Sequence, residues 1–296
     1  METEITIIGA GPAGIQAGIH AARKKVSAVI VGKTENSAAY GTHIENHFGA
    51  LGKADGTEML KDGIGKAERF GCRILNENVV SLSKDGNVFR AVTESGAEIV
   101  SKAVILASGT SRNKLGVPGE KELLGKGVSY CASCDCNFYK GKTVVVVGDE
   151  SEAAASAELM TKYASKTYWV IGDVKVSEVM LNKAKASGAE TVKGRVKTIN
   201  GKTKVESVTL DSGRSIKADG VFIELGGRSS SDLAMDLDLL PGADGSVAVD
   251  RGCRTKVAGV YACGDITGKP WQVAKAAGEG AVAGTNAAEM VRGNAA

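Results

Sequence analysis

The sequence predicts an α/β fold made of two nucleotide-binding domains of related, Rossmann-like design, each a three-layer ββα unit, and three observations predict it. An apolar run, Ile5-Thr6-Ile7-Ile8, leads straight into Gly9-x-Gly11-x-x-Gly14 and a helical pattern. The same order returns at Thr143 to Val147 before Gly148. A repeat of about 135 residues is too long for a solenoid and fits a duplicated domain. The third observation is 39 glycines in 296 residues with only four prolines, roughly twice the usual glycine share, which belongs to tight turns and phosphate loops.

Each element follows in order. After the first strand and glycine turn, Ile15 to Ala22 has helical spacing, and Val29-Ile30-Val31 closes a βαβ unit. A helix over Thr57 to Phe70 comes next, then a meander with turns at Asp85-Gly86 and Ser95-Gly96, then the strand Ala103 to Ala107, ending at Gly109. In the second copy the strand Thr143 to Val147 precedes a helix over Ser151 to Tyr163 and the strand Thr167 to Ile171. Turns at Asn200-Gly201 and Ser212-Gly213 mark its meander, and Val221 to Gly226 closes it. The tail resumes with Val260 to Asp265 and an alanine-rich helix from Gln272 to Val291.

Charge excludes several partners. The 37 Lys and Arg balance 34 Asp and Glu to leave +3, with no basic block, so neither nucleic acid nor an anionic membrane surface is expected. Met1-Glu2-Thr3-Glu4 is acidic and runs into a strand, which is no secretory signal, and no stretch reaches about 18 apolar residues. A soluble, cytoplasmic protein is expected.

The turn Gly9-x-Gly11-x-x-Gly14, with Pro12 and Ala13 inside it, opens a helix whose N-terminus would face a pyrophosphate approached closely by backbone. The acid that usually bonds a ribose at the end of the next strand is missing: Gly32-Lys33 stand there, with Glu35 later.

Of six cysteines, Cys72, Cys253 and Cys263 are isolated and read as buried apolar residues. Cys131-Ala132-Ser133-Cys134-Asp135-Cys136 is different. Two cysteines three apart can close a reversible disulfide, which beside a dinucleotide fold reads as redox chemistry. Three thiolates could instead hold zinc or part of an iron–sulfur cluster, but His20, His43 and His47 all lie far upstream. Asp135 beside the thiols suits an acid/base group or a solvated turn carboxylate.

Taken together, Gly9 to Gly14, Thr42-His43-Ile44-Glu45-Asn46 followed by Gly49, Ala107-Ser108-Gly109, Gly127-Val128-Ser129-Tyr130 before the cysteines, and Gly264-Asp265 followed by Gln272-Val273 resemble the low-molecular-weight thioredoxin reductase family over essentially the whole chain. The resemblance implies that the second copy is inserted into the first. Residues 1–113 and 244–296 would bind FAD, and 114–243 would carry the redox cysteines beside a degenerate NAD(P)H site. Gly9, Gly11, Pro12, Ala13, Gly14, Asn46, Gly109, Gly264, Asp265, Gln272 and Val273 would form the flavin site, with Asp265 on the ribityl or phosphate part. Cys134 would face the flavin, Cys131 would attack the disulfide of thioredoxin, and Asp135 would give or take the proton. A homodimer is implied as well. Cys136 departs from the family, which usually has a small residue there, so a Cys134–Cys136 pairing competes with Cys131–Cys134; the latter is favoured because a C-x-C ring is more strained.

The second glycine turn has lost its nucleotide signature. It reads Gly148-Asp149-Glu150-Ser151-Glu152, with a side chain where backbone should approach and three carboxylates where a phosphate would sit. Beyond Ile171 comes Gly172-Asp173-Val174-Lys175, with no arginine pair for a 2′-phosphate. The pattern is similar to atypical, NADPH-independent thioredoxin reductases that take electrons from reduced ferredoxin or, in related forms, a reduced deazaflavin. Ferredoxin is the expected donor, steered by Lys121, Lys126, Lys140 and Lys142, with deazaflavin or NADH as alternatives. A non-catalytic flavin-binding sensor is the rival class, and an intact exchange pair argues against it.

Overall fold

The computed structural model describes residues 1–47, 54–109, 114–225, 230–242 and 245–293. The side chains of Ala54, Cys134, Ser230 and Ser231 lie outside the description, as do Gly49 and Gly226. In chain order the elements are β1 (Ile5–Ile8), α1 (Pro12–Arg23), β2 (Ala28–Val31), β3 (His43–Ile44), β4 (Ala54–Asp55), α2 (Gly56–Arg69), β5 (Arg73–Leu75), β6 (Val79–Asp85), β7 (Val88–Thr93), β8 (Glu98–Ser101) and β9 (Ala103–Leu106). There follow β10 (Val128–Ser129), α3 (Ala132–Asp135), β11 (Thr143–Val147), α4 (Ser151–Thr161), β12 (Lys166–Ile171), α5 (Glu178–Ala186), β13 (Glu190–Lys193), β14 (Val196–Asn200), β15 (Ser207–Leu210), β16 (Ser215–Lys217) and β17 (Gly220–Ile223). The chain ends with α6 (Ser230–Met235), β18 (Val260–Ala262) and α7 (Val273–Val291).

Two compact units result, one of Met1–Ser111 with Arg228–Ala296 and one of Arg112–Gly227. The first holds a parallel sheet in the order β18-β9-β1-β2-β5 and an antiparallel meander β6-β7-β8. The second repeats the plan, with β10-β17-β11-β12-β13 parallel and β14-β15-β16 antiparallel. Side chains alternate across each parallel strand, which sorts the core into two layers. In the first unit Ile5, Ile7, Ile30 and Ile105 meet the helices, whereas Val29, Val31, Val104 and Leu106 meet Leu82, Phe89 and Ile99 of the meander. In the second, Val144, Val146 and Trp169 face helical Ala153 and Ala157, and Val145, Val147 and Val221 face Val208 and Leu210. Both units are therefore helix, sheet and meander, the architecture the strand and turn pattern predicts.

Helices α1 and α7 meet through small residues. A Cβ on Gly280 or Gly284 of α7 would collide with the carbonyl oxygens of Ala13 or Ala17 on α1, so the tail helix lies directly against the helix that leaves the first glycine turn. The chain rejoins the first unit at Arg228, earlier than the 244 expected from sequence. The cause is apolar: Leu233, Ala234, Leu237 and Leu239 bury against Leu82 and Phe89.

Candidate active site

In the first unit the glycine turn connects β1 to α1. Gly9 has φ +119° and a Cβ there would strike Ala107 O, while a Cβ on Gly14 would strike Gly9 O. These two glycines bring the turn hard against the end of β9 and α1 hard against the turn. Gly11 differs, because its Cβ position meets only Ser37, with Oγ at 3.2 Å. The one neighbour is a side chain rather than backbone. Pro12 begins α1, and no acid occupies the first helical turn, so the unpaired amide groups and positive dipole end face outward without a competing charge.

The tail packs against the start of α1, where a Cβ on Gly264 would strike Ala13. Gly264 (φ +84°) follows β18 and turns the chain into Asp265. The turn is held by residues that motif reading missed: Gly264 N donates to Glu279 Oε2 at 2.8 Å, and Lys275 Nζ donates to Gly264 O at 2.8 Å and Thr267 Oγ1 at 2.7 Å. Lys275 and Glu279 also pair at 3.2 Å. Their i, i+4 spacing on α7 was the one local signal for them. Asp265 Oδ1 is left buried without a partner. Burial raises its pKa, with Glu279 adding to the rise and Lys275 opposing it. A buried acceptor without a donor costs about 1–3 kcal/mol, and a ligand hydroxyl is the kind of group that removes the penalty. Asn46 and Gln272, far apart in sequence, meet through Asn46 Nδ2 donating to Gln272 Oε1 at 2.7 Å. Val273 begins α7 next to that contact, and Gly109 closes β9's exit with φ +72°. The open glycine turn, the acid-free helix end and the orphaned Asp265 oxygen fit a flavin dinucleotide.

In the second unit the cysteines bracket the short helix α3: Cys131 precedes it, Cys134 lies within it and Cys136 follows it. Cys131 is buried and disulfide-bonded. Cys136 is a buried free thiol, so it is not the partner of Cys131. The backbone before α3 is fixed by Ser129, whose Oγ accepts from Cys131 N at 3.0 Å and donates to Cys131 O at 3.3 Å. Cys131 Sγ lies 3.4 Å from Ser133 Oγ. Asp135 is partly exposed and raises the pKa of Tyr139, adding to burial. Upstream, buried Glu120 accepts from Tyr130 Oη at 2.6 Å and from the amides of Leu115, at 2.9 Å, and Gly116, tying the segment before the cysteines to residues 115–116. Among the described residues no cluster of three or more His, Cys, Asp or Glu could hold a metal. The isolated cysteines are buried free thiols, with burial pushing Cys72 up to about 12 and Cys253 to about 11.

The second glycine turn is built differently. Glu150 occupies the N-cap position of α4 without a capping hydrogen bond, its Oε2 is buried and unpartnered, and Glu152 in the first helical turn is buried as well. Asp149 does not face a ligand, because Oδ1 accepts from Gly172 N at 2.6 Å and so closes the β11 and β12 ends together. One arginine missed in the sequence does reach this corner: Arg195, arriving between β13 and β14, pairs with Asp173 at 2.9 Å. Asp173 is thereby engaged rather than free for a ribose hydroxyl. Lys121, Lys126, Lys140 and Lys142 are all exposed.

The pyridine nucleotide-disulphide oxidoreductase family matches residues 3–280. Thioredoxin reductase of Bacillus subtilis (strain 168) is 34% identical over 294 residues, covering 95% of this chain and 92% of that protein. Among solved structures, an atypical thioredoxin reductase from Desulfovibrio vulgaris Hildenborough superposes with a TM-score of 0.80 at 32% identity, covering 98% of both chains. A ferredoxin-flavin thioredoxin reductase from Clostridium acetobutylicum gives 0.64 at 35% identity, covering 99% of both. FAD is the cofactor of thioredoxin reductases of this family. Similarity along nearly the whole length, with the cysteine turn and the open glycine turn both in place, shows that the chain belongs to the pyridine nucleotide-disulphide oxidoreductases, as a flavoprotein disulfide oxidoreductase of the thioredoxin reductase type.

Proposed function

We propose that this protein reduces thioredoxin or a thioredoxin-like disulfide through FAD and the Cys131/Cys134 pair, with ferredoxin rather than NADPH as electron donor. The observation that carries the donor is the second glycine turn, where Glu150 stands at the N-cap of α4 with a buried oxygen and Glu152 is buried in the first helical turn, two acids where a nucleotide phosphate needs an acid-free helix end. The similar Clostridium structure is of an enzyme whose name joins ferredoxin and flavin. A one-electron protein donor needs a docking surface and no nucleotide pocket. Exposed Lys121, Lys126, Lys140 and Lys142 suit the acidic surface usual in ferredoxins.

The flavin would be held by Gly9, Gly11, Pro12, Ala13 and Gly14 at its pyrophosphate, by Asp265 following Gly264 at a hydroxyl, and by Asn46, Gly109, Gln272 and Val273 around the remainder. When bound, it supplies the two electrons that open a disulfide. Cys134 is the sulfur that receives them and Cys131 the one that attacks thioredoxin, passing through a mixed disulfide. Asp135, on the same turn and partly open to water, gives or takes the proton of the leaving sulfur. Cys136, buried and free, has no place in this exchange. Four reduced, buried thiols suit a cytoplasmic setting, and the assembly is read as a homodimer.

The test leaves the donor aside. Holoprotein given one two-electron equivalent of dithionite per flavin under anaerobic conditions is mixed with oxidised thioredoxin and the new thiols are counted. Wild type and Cys136→Ser deliver two thiols per flavin, whereas Cys131→Ser and Cys134→Ser deliver none. Full delivery by Cys131→Ser overturns the assignment.

A further inference from the structure

The strand β17 runs Gly220 to Ile223 wholly buried, and the next residue, Glu224, is also buried, at 2% exposure. A carboxylate in such a place needs strong partners. The backbone of Glu224 is anchored to β11, its N–H donating to Val147 O at 2.9 Å. Its side chain reaches the cysteine turn: Ala132 N donates to Glu224 Oε1 at 2.8 Å. Ala132 is itself 2% exposed, so no water stands ready to replace this acceptor. Ser129 holds both the N–H and the C=O of Cys131. The peptide joining Cys131 to Ala132 is thus gripped between two buried side chains, one from β10 and one from the end of β17. Nothing in the sequence marked Glu224, because strand ends in this fold carry no requirement for an acid.

We infer that Glu224 is a positioning residue for disulfide exchange: it fixes the backbone on which Cys131 stands by holding the amide of Ala132. A glutamate suits this task because its carboxyl spans from the sheet to the turn and offers an oxygen to an amide that is otherwise sealed from water. The inference rests on the reading of Cys131 and Cys134 as the exchanging pair.

The experiment uses the holoprotein with thioredoxin and three variants, Glu224→Gln, Glu224→Asp and Glu224→Leu, checking flavin content and melting temperature for each. Two quantities are read: kcat with KM for thioredoxin, with dithionite as the electron source, and the equilibrium constant of the enzyme's disulfide against dithiothreitol. Glu224→Gln keeps an acceptor at the same reach and retains kcat within about twofold, whereas Glu224→Asp falls one methylene short and lowers kcat about tenfold, the worth of one buried hydrogen bond. In Glu224→Asp the disulfide equilibrium moves by a similar factor while KM for thioredoxin stays put. Glu224→Leu does at least as much. Unchanged kcat and equilibrium constant in folded Glu224→Asp and Glu224→Leu overturn the inference. So does an inactive Glu224→Gln beside an active Glu224→Asp, since the charge rather than the hold on the amide would then matter. A failure of the underlying reading looks different, because Cys131→Ser would then keep turnover whatever stands at 224.

Discussion

The two glycine turns of this chain begin from one plan and end with opposite chemistry. In both, a buried strand, β1 or β11, runs into a glycine and then into a helix, α1 or α4. At α1 the first helical turn carries no acid and Gly11, without a side chain, stands at the cap. At α4 Glu150 stands at the cap with its Oε2 buried, and Glu152, itself buried, lies within the first turn. A helix N-terminus attracts negative charge whatever its source. The first turn keeps acids out of that field, whereas the second places two of them at the same helix end. Architecture does not depend on the acids at the turn, because the strands and the helix bury corresponding apolar faces in both units.

The largest way to break this comparison is to write the second turn into the first. Gly11→Glu places a carboxylate where the pyrophosphate must sit, and flavin affinity should fall at least about a hundredfold, since a desolvated like charge costs several kcal/mol. The purified variant should be colourless by its absorbance near the flavin band. Asp265→Asn comes next. It keeps the shape of the side chain but weakens its acceptance from a ligand hydroxyl, so flavin should bind about tenfold more weakly by equilibrium dialysis. The reverse exchange is smaller: Glu150→Gly with Glu152→Ala reopens α4, yet Asp149 still closes against Gly172 and Arg195 is still paired with Asp173. NADPH should then bind detectably but no tighter than about millimolar by calorimetry, where wild type shows no heat.

The smallest effect separates the turns through pH. Burial raises the pKa of Asp265 above its ordinary 3.8. The folded, flavin-free protein therefore holds this proton more tightly than the unfolded chain. The stabilisation is complete below the ordinary value and is lost as pH rises through the raised one. Asp265→Asn should remove that part of the slope, so flavin-free wild type and variant should converge in melting temperature toward low pH and the variant should melt higher at neutral pH. Curves that stay parallel would show that Asp265 is not desolvated in the empty site.

Much of this was legible because it is local. The apolar runs Ile5 to Ile8 and Thr143 to Val147, glycine at a fixed offset, and the turn pairs Asp85-Gly86 and Asn200-Gly201 all act over a few residues, and each falls where the structure puts a strand or a turn. The acids at 149, 150 and 152 were legible too, though not that Asp149 would turn away to Gly172. What stayed hidden depends on the crossing of distant segments. Arg195 arrives at the Asp173 corner because β13 lies beside β12, and Glu224 meets Ala132 because β17 lies between β10 and β11. The hidden return of the chain at Arg228 has the same origin, since Leu233 and Leu237 reveal their partner only once β6 and β7 have paired.

The central claim, that one turn holds FAD while the other is closed to nicotinamide nucleotides, is tested most directly by anaerobic titration of the bound flavin with reduced ferredoxin, NADPH, NADH and a reduced deazaflavin in parallel. Ferredoxin should bleach the flavin, more slowly as salt rises because charge steers the encounter, and NADPH should leave the absorbance unchanged. Bleaching by deazaflavin alone would keep the closed turn and replace the donor. Rapid bleaching by stoichiometric NADPH would contradict the account, because it requires a nucleotide to bind where Glu150 and Glu152 stand.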